Sequence, residues 1–388
     1  MGAESMEPVN SMRYTLSGPP QAEQRIHDDQ SRITRAVVEA IPRSKFGALI
    51  LAGGYGRGEG GYRCRKGRFA PYNDYDYFVV LDASRKECSK LQDQLTELGH
   101  SLEAEIGVEV DFAILRSRNL SKLEYSLMNA ELVWGHRVLA GDPEILSAIP
   151  KMPIQEIALA EFLRLMLNRG SLLLMNQRAL QSGAISCESD REQFSRYLDK
   201  AVLACADARL AAAGRYHGSY PVKLERIHAL NWPGSSEFLQ DYGRALDARF
   251  GPEPLLVPAK EEERALSRVV AHWLEALAEL ETVRLGRLPD WPDYATSRIQ
   301  KGQSSGDLRG LLRNLYVTLR DFGPAEFLHN PGWAIRYPRE RLISVLPGLL
   351  EPSISIPTTK LGHVLSQRQT LDQDSLAKVF LEHWPRYA

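Results

Sequence analysis

Three carboxylates carry the chemistry this chain can offer. Asp74 and Asp76 alternate with tyrosines in Asn73-Asp74-Tyr75-Asp76-Tyr77-Phe78-Val79-Val80-Leu81. Asp111 stands in Val108-Glu109-Val110-Asp111-Phe112-Ala113-Ile114-Leu115. Both segments are rich in β-branched and aromatic residues, the composition of strands. Side chains alternate across a strand, so Asp74 and Asp76 share one face, roughly 7 Å apart along the chain. Asp111 comes from a second strand, with Glu109 on its own face. Three carboxylates on one sheet face repel one another unless a cation joins them. Mg²⁺ suits them, because it takes oxygen ligands and leaves room for substrate phosphates. Two such ions ~3.5–4 Å apart can hold both the attacking and the leaving oxygen of an in-line displacement.

A glycine run precedes these strands. The apolar segment Ala48-Leu49-Ile50-Leu51-Ala52 leads into Gly53-Gly54-Tyr55-Gly56-Arg57-Gly58-Glu59-Gly60-Gly61. A strand that ends in Gly-Gly lets the backbone approach a phosphate with no Cβ in the way, and helix N-terminal amides beyond it would face that phosphate. The run from Gly56 to Gly61 also satisfies G-x-G-x-x-G, the dinucleotide-binding fingerprint. That motif should open an apolar helix, yet Tyr-Arg-Cys-Arg-Lys-Gly-Arg follows. A Walker-type loop fails too, since no Gly-Lys-Ser/Thr closes the run.

Gly-Gly after an apolar strand, then Asp-x-Asp on a strand, then a lone Asp on a later strand, resembles the nucleotidyltransferase superfamily that includes DNA polymerase beta. The resemblance covers about residues 46–142. It implies two divalent metals, Mg²⁺, held by three carboxylates, and transfer of a nucleotide from a nucleoside triphosphate. By position it implies that Gly53 and Gly54 contact phosphate and that Asp74 and Asp76 bind metal. Asp111 would complete the metal site and help activate an acceptor hydroxyl, with Arg57 assisting at the phosphates. One departure stands out: nineteen residues, Tyr55 to Asn73, separate Gly54 from Asp74, about twice the usual spacing. The excess, residues 62–72, reads as an inserted loop at the mouth of the site. Its Arg63, Arg65, Lys66 and Arg68 either grip a triphosphate or an acidic acceptor, or are simply solvated.

Composition sets limits on the rest. The chain has 388 residues, enough for two or three domains. Hydrophobic residues make up 44%, as in a globular protein. Lys plus Arg total 48 against 49 for Asp plus Glu, a net charge of −1 that argues against a protein coating nucleic acid by bulk charge. The four cysteines (Cys64, Cys88, Cys187 and Cys205) have neither zinc-site nor disulfide-framework spacing, which predicts reduced thiols. The first thirteen residues are polar, with no signal-peptide core, and no apolar run reaches membrane-spanning length. A cytoplasmic protein with no membrane partner is expected.

The elements that must position these residues follow from pattern. Residues 1–21 read as a flexible leader. Residues 24–41 place Ile26, Ile33, Val37, Val38 and Ile41 near helical spacing, with Pro42 as a stop. Residues 48–51 form the first strand. Residues 84–107 read as a long helix between the two carboxylate strands, with Ser84 as its N-cap and Gly107 at its end. A helix over 120–131 and a strand over 133–139 complete a catalytic domain spanning 22–150. The fold class expected is thus an α/β (α+β) nucleotidyltransferase domain with a mixed sheet, followed by an all-α helical bundle domain.

That bundle is expected over 151–288, with helices at 157–180, 193–213, 222–230, 238–250 and 261–285. A loop-rich boundary at 289–305 leads into a helical extension, 289–388. The combination Arg196-Tyr197-Leu198-Asp199-Lys200-Ala201, Gly214-Arg215-Tyr216 and Tyr220-Pro221-Val222-Lys223 resembles the helical second domain of antibiotic nucleotidyltransferases. In that family lysines of this domain reach the triphosphate, which implies Lys200 and Lys223 here. Some relatives also draw a glutamate base from it, for which Glu161 and Glu192 are candidates.

The expectation is therefore a metal-dependent nucleotidyltransferase. It would move a nucleoside monophosphate, AMP from ATP at the family level, onto a hydroxyl of a small molecule or a protein and release pyrophosphate. An RNA end ranks last as acceptor. The competing class is a regulatory, antitoxin-like protein of the same fold that acts by binding a partner; intact carboxylates argue against it, since a binding protein needs none of them. Oligomeric state is not legible in the sequence.

Overall fold

The computed structural model describes residues 13–297, 301 and 308–387. The chain forms two compact units. The first comprises Met1–Ile157 with two later excursions, His217–Leu224 and Leu246–Pro254; the second comprises Ala158–Tyr216, Glu225–Ala245 and Leu255–Ala388. The architecture is mixed α/β, with one four-stranded mixed sheet and many helices.

In the first unit, α1 (Pro20–Ala40) precedes β1 (Phe46–Leu51), and the short turn of helix α2 (Gly53–Gly56) follows. A hairpin of β2 (Tyr62–Arg65) and β3 (Arg68–Pro71) leads into β4 (Tyr75–Leu81). Then come α3 (Arg85–Ile106), β5 (Val110–Arg116), α4 (Leu127–Trp134) and β6 (Arg137–Gly141). The sheet order is β5-β4-β1-β6, with β4 and β5 parallel and the β1 pairs antiparallel. Parallel neighbours require a crossover, and α3 supplies it. Its ends follow the sequence signals: the Ser84 hydroxyl accepts from the Glu87 amide while the Glu87 carboxylate accepts from the Ser84 amide, and Gly107 closes the helix at φ 92°.

Period-two alternation in β4 decides which residues face the core. Tyr75 and Tyr77 are buried and donate their hydroxyls to Asp29 and Gln30 of α1. Ile26, Ile33, Val37, Leu49, Leu51 and Val79 share that apolar cluster. The intervening Asp76 is thereby turned to the opposite face.

Several expectations are corrected. Val38 lies on the outer side of α1, 44% exposed. Of the expected leader, residues 1–12 lie outside the described residues, but Tyr14 is buried and Thr15 bridges to Gly60 beside the glycine run. The expected helix over 120–131 divides into a 3₁₀ turn, Ser117–Lys122, and α4, because the Ser126 hydroxyl caps the amide of Asn129. Val133 and Trp134 belong to α4, so the last strand starts later than expected. The insertion 62–72 is a hairpin, not an irregular loop; Lys66 and Gly67 both hold positive φ at its two-residue turn.

In the second unit α5 (Leu159–Gln181) and α6 (Glu188–Ala212) pack together and against α9 (Glu262–Leu285). Between them in sequence lie α7 (Tyr220–His228) and α8 (Ser235–Phe250), each contributing residues to both units. The buried alanines of α6 (Ala201, Ala204, Ala208) allow that close approach. Trp273 is fully buried on α9 and donates its indole N–H to the Met166 carbonyl; an added Cβ at Gly170 would strike its ring at 2.6 Å. Shorter helices follow: α10 (Trp291–Thr296), α11 (Leu308–Phe322), α12 (Glu326–His329), α13 (Pro331–Ala334), α14 (Arg339–Leu350), α15 (Thr358–Val364) and α16 (Gln373–Tyr387). α10 falls within the expected loop at 289–305, started by the Asp290 carboxylate accepting from the Asp293 amide. Every residue of α14 from Glu340 to Leu350 is buried.

Among the described residues no helix is long and apolar enough to cross a membrane. Cys64, Cys88, Cys187 and Cys205 are free thiols.

Candidate functional site

The site forms where β1 ends beside β4 and β5. Asp76 and Asp111 stand opposite each other in register on the parallel strands. Asp74 immediately precedes β4, two residues from Asp76. Asp76 keeps solvent access, yet the protein around it leaves its carboxyl poorly hydrated. Burial, followed by the charges of Asp74 and Asp111, pushes its pKa up to about 6, and the guanidinium groups of Arg57 and Arg249 oppose that rise. Asp111 is raised as well, by burial first and then by Asp74 and Glu103. Glu109 is exposed and, against expectation, lies just before β5 rather than on it.

Gly53 stands directly behind Asp76. It adopts φ +62°, and a Cβ there would lie 2.4 Å from Asp76 Oδ2. The amide of Ala52 donates to the Asp76 carbonyl at 2.8 Å, tying the end of β1 to the carboxylate strand. A Cβ at Gly54 would meet the Glu59 carbonyl at 3.0 Å and Arg249 Nη2 at 3.1 Å. Only glycine gives this backbone room for the groups around it.

The rest of the glycine run is held by Tyr55. Its buried hydroxyl donates to the Gly61 carbonyl at 2.6 Å and accepts from the amides of Tyr72 and Asn73. The Asn73 side chain in turn accepts from the Gly61 amide. One side chain thus fixes the glycine run to the start of the carboxylate strand. Arg57 lies near two carboxylates, Glu59 at 3.6 Å and Glu131 at 3.9 Å. Its stem runs over Gly135, where a Cβ would overlap it at 1.8 Å.

The expected site residues divide accordingly. Gly53, Gly54, Arg57, Asp74, Asp76 and Asp111 come together in the first unit. Lys223 falls in that unit as well, although the sequence places it in the helical domain: His217–Leu224 groups with the sheet. Lys223 is 2% exposed, with Nζ 4.7 Å from the centre of the Tyr220 ring. Lys200 and Glu192 lie on α6 and Glu161 on α5, all in the second unit.

Sequence reasoning missed Glu59 and Arg249. Glu59 is buried and accepts from the Tyr220 amide. Arg249 reaches Gly54 from the end of α8, and its guanidinium lies 4.7 Å from the Tyr220 ring centre. No local pattern announces either residue, because each acts across a long stretch of chain.

Among the described residues no group of three or more His, Cys, Asp or Glu side chains stands ready to hold a metal ion. The donor chemistry of Asp74, Asp76 and Asp111 still fits a hard cation. All three are carboxylates, and their mutual charge is what a divalent ion would neutralise.

No family model matches the chain, and no curated protein matches its sequence. Among solved structures the chain is similar to a spectinomycin adenyltransferase from Enterococcus faecialis, determined with ATP and spectinomycin. The TM-score is 0.40 and the identity 10%, over 64% of this chain and 98% of that one. A likeness this faint transfers nothing of that protein's activity to this chain.

Proposed function

We propose that this protein is a metal-dependent nucleotidyltransferase that moves a nucleoside monophosphate, AMP from ATP, onto a hydroxyl of a small molecule or a protein and releases pyrophosphate. The observation that carries this reading is the pairing of Asp76 with Asp111 in register beside the Gly53–Gly54 backbone. A structural sheet gains nothing from adjacent carboxylates whose ionisation is made costlier by burial and by neighbouring negative charge. A phosphoryl-transfer site does, because catalysis there is mostly positioning and charge neutralisation.

In this reading Asp74, Asp76 and Asp111 hold Mg²⁺, two ions in all. When bound, Mg²⁺ neutralises phosphate charge and acts as a Lewis acid on phosphoryl oxygens. The residues do the rest. Gly53 and Gly54 keep the backbone free of side chains where phosphate oxygens approach. Arg57 adds positive charge beside the glycine run. Asp111 accepts the proton of the acceptor hydroxyl as that oxygen attacks the α-phosphorus and the bond to pyrophosphate breaks. Lys200 and Lys223 are the lysines assigned to the triphosphate.

The test is pyrophosphate release with each of the four ribonucleoside triphosphates and Mg²⁺ against sugars, proteins and RNA. It is run beside the Asp74→Ala/Asp76→Ala protein. Acceptor-dependent release that vanishes in the variant is expected. Failure of the wild-type protein to bind any Mg²⁺-nucleotide would overturn the reading.

A further inference from the structure

The basic hairpin 62–71 is left over from the functional reading. Its cations do not act alike. Arg65, Lys66 and Arg68 sit at the exposed turn. Arg63 is 5% exposed and faces inward. Its Nη2 donates to the Ala248 carbonyl at 2.6 Å, and its Nη1 to the Gly251 carbonyl at 2.7 Å. Those carbonyls flank Arg249 at the C-terminal end of α8, where they have no helical partner. A cation at that end also complements the helix dipole.

Further contacts fix the same junction. The guanidinium of Arg63 lies 3.2 Å from the Tyr72 ring centre. The Cys64 amide donates to the Pro252 carbonyl at 2.7 Å. A Cβ at Gly61 would lie 2.3 Å from the Arg249 carbonyl, so glycine there lets the end of α8 come against the glycine run. Arg249 itself lies near the Tyr220 and Phe250 rings, at 4.7 and 5.6 Å. Its Nε is buried and makes no hydrogen bond among the described residues, while Nη2 points at Gly54. An arginine with its guanidinium over aromatic rings and its Nη2 turned toward a glycine backbone suits a phosphate, which accepts N–H bonds from such a planar fork.

We propose that the hairpin is a strut for a phosphate-binding arginine: Arg63 fixes the end of α8, and Arg249 thereby presents its guanidinium beside Gly54 to the triphosphate of the nucleotide. This rests on the nucleotidyltransferase reading and deepens it. Arg249 is the binding residue; Arg63 is a positioning residue that acts through it. The extra chain between Gly54 and Asp74 then has a purpose its own exposed charges do not serve.

The test is a double-mutant cycle on full-length protein with Arg63→Met and Arg249→Gln, read by calorimetric Kd for Mg²⁺-ATP and Mg²⁺-AMP. Arg249→Gln is expected to weaken ATP binding by about 10- to 100-fold, in line with loss of a charge-assisted hydrogen bond, while AMP binding stays within about threefold. Arg63→Met should weaken ATP binding in the same direction, and the double variant should be no worse than Arg249→Gln alone, because the two residues act as one unit. If Arg63→Met fails to fold, Arg63→Lys takes its place under the same criterion, since one ammonium cannot hold both carbonyls in the same geometry. ATP affinity indifferent to Arg249→Gln, or additive effects of the two changes, would overturn the inference alone. A wild-type protein that binds no Mg²⁺-nucleotide would overturn the parent reading together with it.

Discussion

Asp76 of β4 and Asp111 of β5 face each other in register across adjacent parallel strands. Asp76 also feels Asp74, and both paired carboxyls are held above their ordinary range. Neutralising one member should relieve the fold and harm the chemistry. Asp111→Asn is expected to leave Tm unchanged or raise it by about 1–4 °C, while acceptor-dependent pyrophosphate release falls more than about 10²-fold. Such a trade-off marks a functional site. Thermal melts without metal, beside turnover assays, check it; a large drop in Tm would make Asp111 a structural residue.

Gly53 carries two constraints at once. Its φ of +62° is costly for any residue with a Cβ, and that Cβ would press on the Asp76 carboxylate. Gly53→Ala should cost about 1–3 kcal/mol for the backbone alone, measured by denaturant unfolding. Displacement of Asp76 should then lower turnover further than the stability loss explains, even at temperatures where the variant is fully folded. Wild-type turnover in the alanine variant would remove Gly53 from the site.

Tyr55 joins the glycine run to the carboxylate strand through one buried hydroxyl. Tyr55→Phe keeps the ring packed on Tyr75 but strands the Asn73 amide and takes one hydrogen bond each from the Gly61 carbonyl and the Tyr72 amide, which stay bonded to each other. A loss of about 1–3 kcal/mol in urea unfolding is expected, together with weaker nucleotide binding as the run loosens. Unchanged stability would show that other groups or water satisfy those atoms.

Lys301 offers a pH test in the second unit. It is 2% exposed, with Nζ 4.4 Å from the Tyr294 ring centre and 5.4 Å from that of Trp333. Burial, then the charge of Arg336, pushes its pKa down to about 7, against the pull of Glu340 and Glu281; Arg284 adds to the push. The unfolded chain holds that proton up to about pH 10.4. Between those values the unfolded state binds more protons, so stability rises with pH. The contribution is complete above the unfolded value and is lost as pH falls through the folded one. Lys301→Met should therefore be more stable than wild type at pH 6.5, with the gap narrowing toward pH 9.5. Parallel Tm profiles for the two proteins would contradict this.

The sequence by itself determined what local chemistry can encode. Alternation of tyrosine and aspartate in β4 put Tyr75 and Tyr77 toward α1 and left Asp76 on the other face. Ser84 and Gly107 bounded α3, because capping is a contact between near neighbours in the chain. Helical periodicity located α5, α6 and α9. The same locality explains the errors. Spacing predicts one helix over 120–131 where the cap at Ser126 starts a new one, and the insertion reads as a loop although Lys66 and Gly67 turn a hairpin.

Only the tertiary structure decided which distant residues join the unit that carries the site. Lys223 and Arg249 sit in helices whose sequence speaks of a bundle, yet both belong to the unit built on the sheet. Arg63 gave no sign that it would hold the carbonyls of Ala248 and Gly251, far along the chain. Such contacts depend on the unpaired carbonyls at a helix end and on space opened by Gly54 and Gly61. Those are properties of packed backbones, which no local pattern of side chains records.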